Sequence, residues 1–187
     1  ATAAAGGVID TIGDKLMYGG PIRQKFMGNA IAKTILAPSS EAVGEAVEWC
    51  WRTQGADIIS LSLGGEADPS MAIGGPTVTS VEDALEAGVF VVAAAGNQGE
   101  NSSDVSTPAS IRQVIAVGAI DRGGIVWGDT SKGAISMDGE VRENPHKKPE
   151  ISAPGMNIIS TNDPGFSIPY ASSSGTSVST VFVVGSL

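Results

Sequence analysis

Two segments of the chain carry apolar residues at helical spacing between polar ones. The segment SEAVGEAVEWCWRTQG (residues 40–55) begins with a serine that can cap a helix and ends with a glycine that can stop one. The segment TSVEDALEAG (79–88) follows the same pattern, with Thr79 or Ser80 as the cap and Gly88 as the stop. The pattern therefore predicts two amphipathic helices in the first half of the chain.

Short apolar runs lie between and after these helices. They are ADIISLSLGG (56–65), VFVVAAAGN (89–97) and VIAVGAID (114–121), and ISAPGMNIIST (151–161) adds later extended segments. Runs of this kind are typical of strands buried on both faces. The order helix, strand, helix, strand, strand predicts an α/β fold of three layers, a mostly parallel sheet with helices on both faces. In such sheets the functional residues gather at the carboxyl ends of the strands, here SLGG and AAAGN.

Composition limits the alternatives. The chain has 187 residues, of which 42% are hydrophobic, enough for one sizeable core, and we expect a single domain over residues 1–187. The net charge of −9 argues against a nucleic-acid partner. The one cysteine, Cys50, is predicted to be a buried, inert thiol. The polar segment 127–150 is predicted to be a long surface loop or hairpin.

The stretch YASSSGTSVSTVFVVG (170–185) places a serine at the start of an apolar run with helical spacing. Ser177 lies at this predicted helix start, where unpaired backbone N–H groups and the helix dipole favour negative charge, and Gly175 permits a tight approach. A serine hydroxyl becomes an effective nucleophile only when a base takes its proton and donors receive the oxyanion. Taken alone, the motif also fits an ordinary helix cap.

A second motif makes nucleophilic catalysis the better interpretation. Asn97 lies in VVAAAGNQG, on a turn directly after a buried strand, where its amide can donate to an oxyanion. Alone, Asn-Gln-Gly also fits a simple turn, because asparagine tolerates left-handed backbone angles. The two motifs together, in matching strand and helix contexts, are far more specific than either one.

Together with three further segments, these motifs resemble the subtilisin-like serine proteases, the subtilase family. SGTSVST (174–180) resembles the family's nucleophile motif, and AAAGNQG (93–99) resembles its oxyanion motif. ADIISLSLGG (56–65) resembles the strand that pairs with the substrate peptide. KKPEISAPGMNIIST (147–161) resembles the Lys-Pro-(Asp/Glu) and Ala-Pro-Gly segment, and GNAIAKTILAP (28–38) is a weaker match to the stretch that precedes them. The resemblance implies the subtilisin-like α/β architecture and a serine endopeptidase.

Carried over residue by residue, the resemblance implies that Ser177 is the nucleophile. Asn97 and the backbone N–H of Ser177 would then donate to the oxyanion. The resemblance also implies two substrate-binding segments, of which the first pairs with an extended peptide and the second lines the other wall of the first specificity pocket. Small residues in that wall leave room for a large apolar side chain. The implied substrate-binding residues are Ser62, Leu63 and Gly64 on the first segment and Ala94, Ala95 and Gly96 on the second.

The catalytic base is the part of the family pattern that is missing. The only histidine, His146, lies in the polar stretch RENPHKKPE, whereas the family's His-Gly-Thr motif precedes the SLGG strand. We therefore expect His146 to be a solvated surface residue and not the base. ATAAAGGVID (1–10) resembles the helix that follows the catalytic histidine, so the triad histidine and aspartate are expected upstream. An alternative takes GGVIDTIGD as the family's aspartate segment, with Asp10 as the triad aspartate.

The end of the chain departs from the family as well. Val181 and Phe182 stand where the family's nucleophile motif has proline and histidine, and the chain stops at Leu187 within the predicted helix. We therefore expect the domain to be incomplete at both ends. The departures and the missing base also fit a pseudoprotease that keeps the groove as a peptide-binding module. A sedolisin-type serine-carboxyl peptidase is a third alternative, but that family implies an aspartate at the position of Asn97.

The proposed chemistry requires no cofactor, and no metal site is predicted. The family and the acidity leave room for structural calcium, yet no ligand set with readable spacing is visible. Asp104, Asp121 and Asp129 are expected to be solvated loop carboxylates. From the resemblance we expect a polypeptide substrate, a propeptide or protein inhibitor as a further partner, and secretion. From the net charge we expect no nucleic-acid partner, and from the short apolar runs no membrane partner.

Overall fold

The computed structural model describes residues 24–27, 40–65, 75–99, 104–134, 141–161 and 168–187. The weakly matched segment 28–38 and Asp10 lie outside these residues. No helix in the described part of the chain is long and apolar enough to cross a membrane. The strands are β1 (Gln24–Met27), β2 (Ile58–Leu61), β3 (Phe90–Ala94), β4 (Ile115–Ile120), β5 (Ile151–Pro154), β6 (Ile158–Thr161) and β7 (Tyr170–Ser173). The helices are α1 (Ser40–Glu48), α2 (Pro76–Glu86) and α3 (Thr176–Val184). A π-helical turn, Trp49–Thr53, continues α1.

Five parallel strands form one sheet in the order β1-β2-β3-β4-β5, and β6 and β7 pair as an antiparallel hairpin. The helices α1 and α2 cover one face of the sheet, where Val47 packs with Ile59 and Cys50 is buried as predicted. Helix α3 covers the other face, where Val184 packs with Val92. Because successive strand residues point to opposite faces, β2, β3 and β4 each contribute to both cores. The result is the predicted three-layer α/β fold.

Helix α2 begins earlier than its sequence pattern predicts. Gly75 is the N-cap and Pro76 the first helical residue, so the prediction that Thr79 or Ser80 caps the helix is wrong. Proline suits the first turn because its φ angle is already helical and its missing N–H would have no helical acceptor there. The predicted stop is confirmed, since Gly88 follows the helix with a positive φ of 86°.

The polar segment 127–150 is not a surface loop throughout. Thr130 and Ser131 are almost fully buried, and Lys148 is 5% exposed. The Nζ of Lys148 donates to the carbonyl oxygen of Val114 at 2.5 Å, at the amino end of β4. The prediction of a solvated loop is wrong for these residues because their polar groups find hydrogen-bond partners inside the protein.

Candidate active site

The carboxyl end of β2 meets the amino end of α3 at Ser177. Ser177 is the second residue of α3, and its hydroxyl donates to the carbonyl oxygen of Ser62 at 3.2 Å. In return, the hydroxyl of Ser62 donates to the carbonyl oxygen of Ser177 at 2.8 Å. Ser62 directly follows β2, so this reciprocal pair fixes the start of α3 against the strand. The predicted nucleophile therefore lies where the sequence analysis placed the functional edge of the sheet.

Asn97 reaches the same point from the turn after β3. Its Oδ1 accepts two hydrogen bonds from Thr176, one from the backbone N–H at 3.0 Å and one from the hydroxyl at 2.9 Å. The hydroxyl of Thr176 also accepts from the backbone N–H of Gly96 at 3.2 Å. Because these bonds occupy the oxygen end of the side chain, the Nδ2 end is the one that can donate to a ligand.

The backbone of α3 supplies a second donor beside this amide. The first N–H groups of a helix have no acceptor within the helix, and they lie at the positive end of its dipole. The N–H of Thr176 is already bonded to Asn97, whereas the N–H of Ser177 follows it in the same turn. The arrangement can therefore present a side-chain amide and a backbone N–H to one oxygen atom.

The Ala-Pro-Gly segment (residues 153–155) is hydrogen-bonded to the start of α3. The N–H of Gly175 donates to the carbonyl oxygen of Gly155 at 2.8 Å, and the N–H of Gly155 donates to that of Ile120 at 3.0 Å. One turn into α3, the hydroxyl of Ser179 donates to the carbonyl oxygen of Ala153 at 2.9 Å. These bonds connect β4, β5 and the start of α3, so the motif has a structural reason to accompany the nucleophile.

The two predicted substrate-binding segments follow neighbouring strands. Strands β2 and β3 pair in parallel, with Leu61 beside Ala93, so the segments that follow them lie on the same edge of the sheet. Since β2 is flanked by β1 and β3, a peptide can add only to the backbone beyond Leu61. Of the predicted residues, Ser62, Ala94 and Ala95 are buried, Leu63 and Gly96 are partly exposed, and Gly64 is exposed.

Asp104 is not the solvated carboxylate that the sequence predicts. It is 1% exposed and forms a two-point ion pair with Arg142, in which Nη2 donates to Oδ2 at 2.8 Å. Its Oδ1 accepts from Nη1 of Arg142 and from the backbone N–H of Val105. The same Nη2 also donates to the carbonyl oxygen of Ser110 at 3.1 Å. The prediction is wrong because the carboxylate is buried against a cation. The local sequence shows no sign of this, since the partner arginine lies 38 positions away along the chain.

A second ion pair joins the buried Lys148 to Glu150, whose side chain is 24% exposed. The distance from Nζ to Oε1 is 2.6 Å, and the other carboxylate oxygen accepts from the backbone N–H of Ala116 at 2.8 Å. Burial lowers the pKa of Lys148 below its usual range, against the opposite effect of the hydrogen bond that it donates to Glu150. This pair holds the segment before β5 against the amino end of β4.

The two other aspartates singled out in the sequence, Asp121 and Asp129, do not belong to a ligand cluster in the described residues. The carboxylate of Asp121 accepts from the N–H groups of Gly123 and Ile125 within its own turn, and Asp129 is exposed. In the described ranges, no three histidine, cysteine or acidic side chains come together as a metal site. Structural calcium therefore stays a prediction from the family.

Several residues that shape the site escaped the sequence analysis. Thr176 precedes the nucleophile directly, so its position in the motif was the one available signal. The others act across long sequence separations and carry no local signal. Ser131 is an example: its hydroxyl donates to Oε1 of Gln98 at 2.8 Å and its N–H to the carbonyl oxygen of Gly96, which fixes the turn around Asn97.

Comparison with known proteins agrees with this geometry. The sequence profile of the subtilase family (Peptidase S8) matches residues 29–187. Serine protease AprX of Bacillus subtilis (strain 168) is 35% identical over 161 residues, which cover 75% of this chain and 36% of that protein. Subtilisin DY of Bacillus licheniformis is 34% identical, over 77% of this chain and 45% of that protein. The major intracellular serine protease of Bacillus subtilis (strain 168) is 34% identical, over 72% and 36% respectively.

Solved structures give the same result at the level of the fold. The prenylagaramide maturation protease PagA superposes with a TM-score of 0.65 at 26% identity, over 82% of this chain and 50% of that one. The patellamide maturation protease PatA superposes with a TM-score of 0.64 at 28% identity, over 80% and 49% respectively. The chain thus spans between 36% and 50% of the length of these relatives.

Proposed function

This chain belongs to the subtilase family, and on that premise we propose that it carries the nucleophile and the oxyanion site of a serine endopeptidase that acts on polypeptides. The Oγ of Ser177 attacks the peptide carbonyl carbon while a histidine takes its proton. The histidine returns that proton to the leaving amine as the C–N bond breaks. The same histidine then takes a proton from water, which attacks the acyl-enzyme, and returns that proton to the Oγ of Ser177 as the acid product leaves.

The observation that carries this proposal is the fixed orientation of Asn97. A free asparagine side chain can turn either its oxygen or its nitrogen toward a ligand. Here the two hydrogen bonds from Thr176 hold the oxygen, so the Nδ2 amide and the N–H of Ser177 serve one developing oxyanion. With its oxygen held in this way, the side chain can meet a substrate oxygen only through Nδ2.

The histidine in this mechanism is not His146. In the described structure, the hydroxyl of Ser177 bonds to the Ser62 carbonyl, which cannot accept a proton to form a stable species. His146 lies two residues before Lys148, whose amine is bound at the amino end of β4, whereas Ser177 lies at the carboxyl ends of the strands. We assign the base to a histidine outside this chain, with an aspartate to orient it.

Three further properties are proposed from the family. A propeptide or protein inhibitor binds the same groove as the substrate, and structural calcium stabilises the domain without a role in the reaction. The protein acts outside the cell, although one of the relatives is named as an intracellular protease. These proposals are separate from the chemistry at Ser177, and their failure would leave it intact.

A fluorophosphonate probe tests the mechanism directly, because it bonds covalently only to an activated serine. The protein expressed from its whole gene is labelled, digested and mapped by mass spectrometry. We expect a single modification on the peptide that contains Ser177. The variant Ser177→Ala should remain unlabelled, whereas the exposed-serine control Ser186→Ala should label at the rate of the parent protein.

The same experiment separates the protease from the pseudoprotease. Labelling together with hydrolysis of a casein substrate supports the endopeptidase. A folded protein that binds peptides but neither labels nor cleaves would contradict it and would favour a peptide-binding module. Intact mass and N-terminal sequencing of the same sample establish whether a His-Gly motif precedes the chain.

A further inference from the structure

The turn that carries Asn97 is bonded at both of its ends to a distant segment of the chain. The N–H of Ser131 donates to the carbonyl oxygen of Gly96 at 3.0 Å, and the N–H of Gly99 donates to that of Asp129 at 2.8 Å. The two glycines have positive φ angles of 109° and 60°, so they make the bends on either side of Asn97. The distant segment, residues 129–131, therefore holds the turn at both bends, and we call it the clamp.

One side chain of the clamp adds two further hydrogen bonds. The hydroxyl of Ser131 donates to Oε1 of Gln98 at 2.8 Å and accepts from the backbone N–H of Gln98 at 3.1 Å. Ser131 is 0% exposed, so water does not compete for these bonds. Because Gln98 follows Asn97 directly, and Ser131 also binds the carbonyl oxygen of Gly96, this one serine holds the residues on both sides of Asn97.

The clamp is itself attached to the sheet. The hydroxyl of Thr130 accepts from the N–H of Ala119 at 3.1 Å and donates to its carbonyl oxygen at 3.2 Å. The N–H of Trp127, just before the clamp, donates to the same carbonyl oxygen at 2.8 Å. Ala119 lies in β4, whereas Asn97 follows β3. The turn is therefore positioned by two neighbouring strands, directly by β3 and through the clamp by β4.

The location of this turn matters because Asn97 itself is exposed, so hydrogen bonds and not packing must hold it. The two bonds from Thr176 orient the amide, but they do not fix the backbone from which the side chain extends. Donors to an oxyanion are effective only at the position where the charge develops, and a displacement of about 1 Å can cost on the order of 10²-fold in rate.

We propose that Ser131 is a positioning residue for the oxyanion site and acts on the reaction only through Asn97. Thr176 sets the rotation of the amide, and Ser131 sets the place of the backbone that carries it. Together they bring Nδ2 to the developing oxyanion. The inference rests on the proposed endopeptidase function.

The test is a double-mutant cycle, with kcat and KM measured on one peptide substrate and the protein expressed from its whole gene. We expect Ser131→Ala to lower kcat by roughly three- to tenfold with little change in KM, because the turn loses two of its hydrogen bonds. In the Asn97→Ala background the same substitution should leave kcat unchanged, since no amide remains to be positioned. A general structural role would lower kcat by the same factor in both backgrounds.

The matched control is Ser40→Ala on α1. The hydroxyl of Ser40 makes the same two kinds of bond, since it donates to the hydroxyl of Thr77 at 3.0 Å and accepts from the backbone N–H of Thr77 at 3.1 Å. This pair joins α1 to α2, which cover one face of the sheet and do not touch the turn. Ser40→Ala should lower the free energy of unfolding in urea but leave kcat at the value of the parent protein. Equal losses of kcat in the two serine variants would overturn the proposal.

The outcomes separate this inference from the function on which it rests. A parent protein that neither cleaves peptides nor reacts with the fluorophosphonate overturns the endopeptidase function. An active parent protein overturns the role of Ser131 alone if Ser131→Ala leaves kcat unchanged, or lowers it equally with and without Asn97. If Ser131→Ala fails to fold, Gln98→Met removes the acceptor of the Ser131 hydroxyl at a partly exposed position. It should then lower kcat in the parent protein and not in Asn97→Ala, and the opposite result would overturn the proposal.

Discussion

The side chain of Asn97 has two ends with different roles. Its oxygen is held by Thr176, and its nitrogen is the proposed donor to the oxyanion. We expect Asn97→Ala to lower kcat by about 10²–10³, a range measured on subtilisin, a member of the same family, with little change in KM. Steady-state kinetics on the protein from the whole gene checks this. A rise in KM of the same size with kcat unchanged would show that the amide binds the ground state instead.

Thr176 provides a second test at the scale of one residue. Thr176→Val keeps the shape but removes the hydroxyl that donates to Asn97 and accepts from Gly96. We expect kcat to fall several-fold, equivalent to about 1 kcal/mol, because the amide loses one of its two restraints. Thr180→Val is the control: its buried hydroxyl bonds only within the helix, to the carbonyl of Thr176. Equal losses of kcat in both variants would contradict a positioning role.

Sequence patterns found the residues whose signal is local. Ser177 and Asn97 lie at a helix start and a strand end that periodicity predicts, so their neighbourhood could be inferred before the structure. Ser131 and Asp104 could not be assigned, because their surroundings are made by segments far apart in the sequence. Asp104 illustrates the cause, since nothing near it in the sequence distinguishes a carboxylate bound to Arg142 from one in water.

At the scale of elements, the junction between β5 and α3 depends on a residue without a side chain. A Cβ on Gly155 would lie 2.7 Å from that of Ala119 and would overlap the hydroxyl of Ser179. We expect Gly155→Ala to lower the free energy of unfolding by about 1–3 kcal/mol and to slow labelling of Ser177, since α3 must shift. Urea unfolding and probe kinetics measure both effects.

The control for this change is Gly128→Ala. A Cβ at Gly128 meets no atom within 4 Å, and its φ is not in the left-handed region. Alanine there should leave stability unchanged or raise it by a few tenths of a kcal/mol, because it restricts the unfolded chain. If the two variants behave alike, the Ala-Pro-Gly segment does not position α3.

The burial of Lys148, which is paired with Glu150, gives the free energy of unfolding a specific dependence on pH. Burial lowers the pKa of Lys148 from its ordinary value of 10.5. Between the lowered pKa and 10.5, the folded protein has released a proton that the unfolded chain still holds, so stability from this group rises with pH across that window. Urea unfolding measured from neutral pH to 10.5 should show that the contribution of Lys148 to the free energy of unfolding rises with pH in the parent protein.

Lysine substitutions separate this effect from the rest of the protein. Lys148→Met removes the titrating group and should remove the rising contribution, whereas Lys147→Met, at the exposed neighbour, should keep it. A slope that survives in Lys148→Met would assign the pH dependence to another group. The experiment also tests whether this segment, predicted to be solvated, is held inside as the structure describes.

The boundaries of the elements show which local rules the tertiary structure overrides. The stop of α2 at Gly88 was predicted because a positive φ is a local demand that glycine meets. Its start was misplaced because Thr79 and Ser80 resemble caps, whereas Pro76 begins the helix one turn earlier. Thr77 supplies the tertiary reason, since its N–H donates to the hydroxyl of Ser40 on α1. The contact between α1 and α2 thus determines where α2 begins, which local sequence preferences alone do not.

At the scale of the whole molecule, the sheet separates the one histidine of the chain from the nucleophile. Strands β4 and β5 begin next to Val114 and Glu150, both bound to Lys148, and they end at the side where Ser177 lies. At about 3.3 Å per residue, the six residues of β4 place its two ends roughly 16 Å apart. A proton cannot pass from Ser177 to His146 over such a distance in one step.

Because His146 and Ser177 lie at opposite edges of the sheet, we expect the isolated chain to have almost no peptidase activity. The 187-residue chain has its nucleophile and oxyanion donors but only His146 as an imidazole. We expect it to hydrolyse peptides about 10⁶-fold more slowly than the protein from the whole gene, by analogy with the loss of the triad histidine in subtilisin. In the whole-gene protein, His146→Ala should leave kcat unchanged. A large loss in that variant would make His146 the base, and would require the segment that carries it to reach the opposite edge of the sheet.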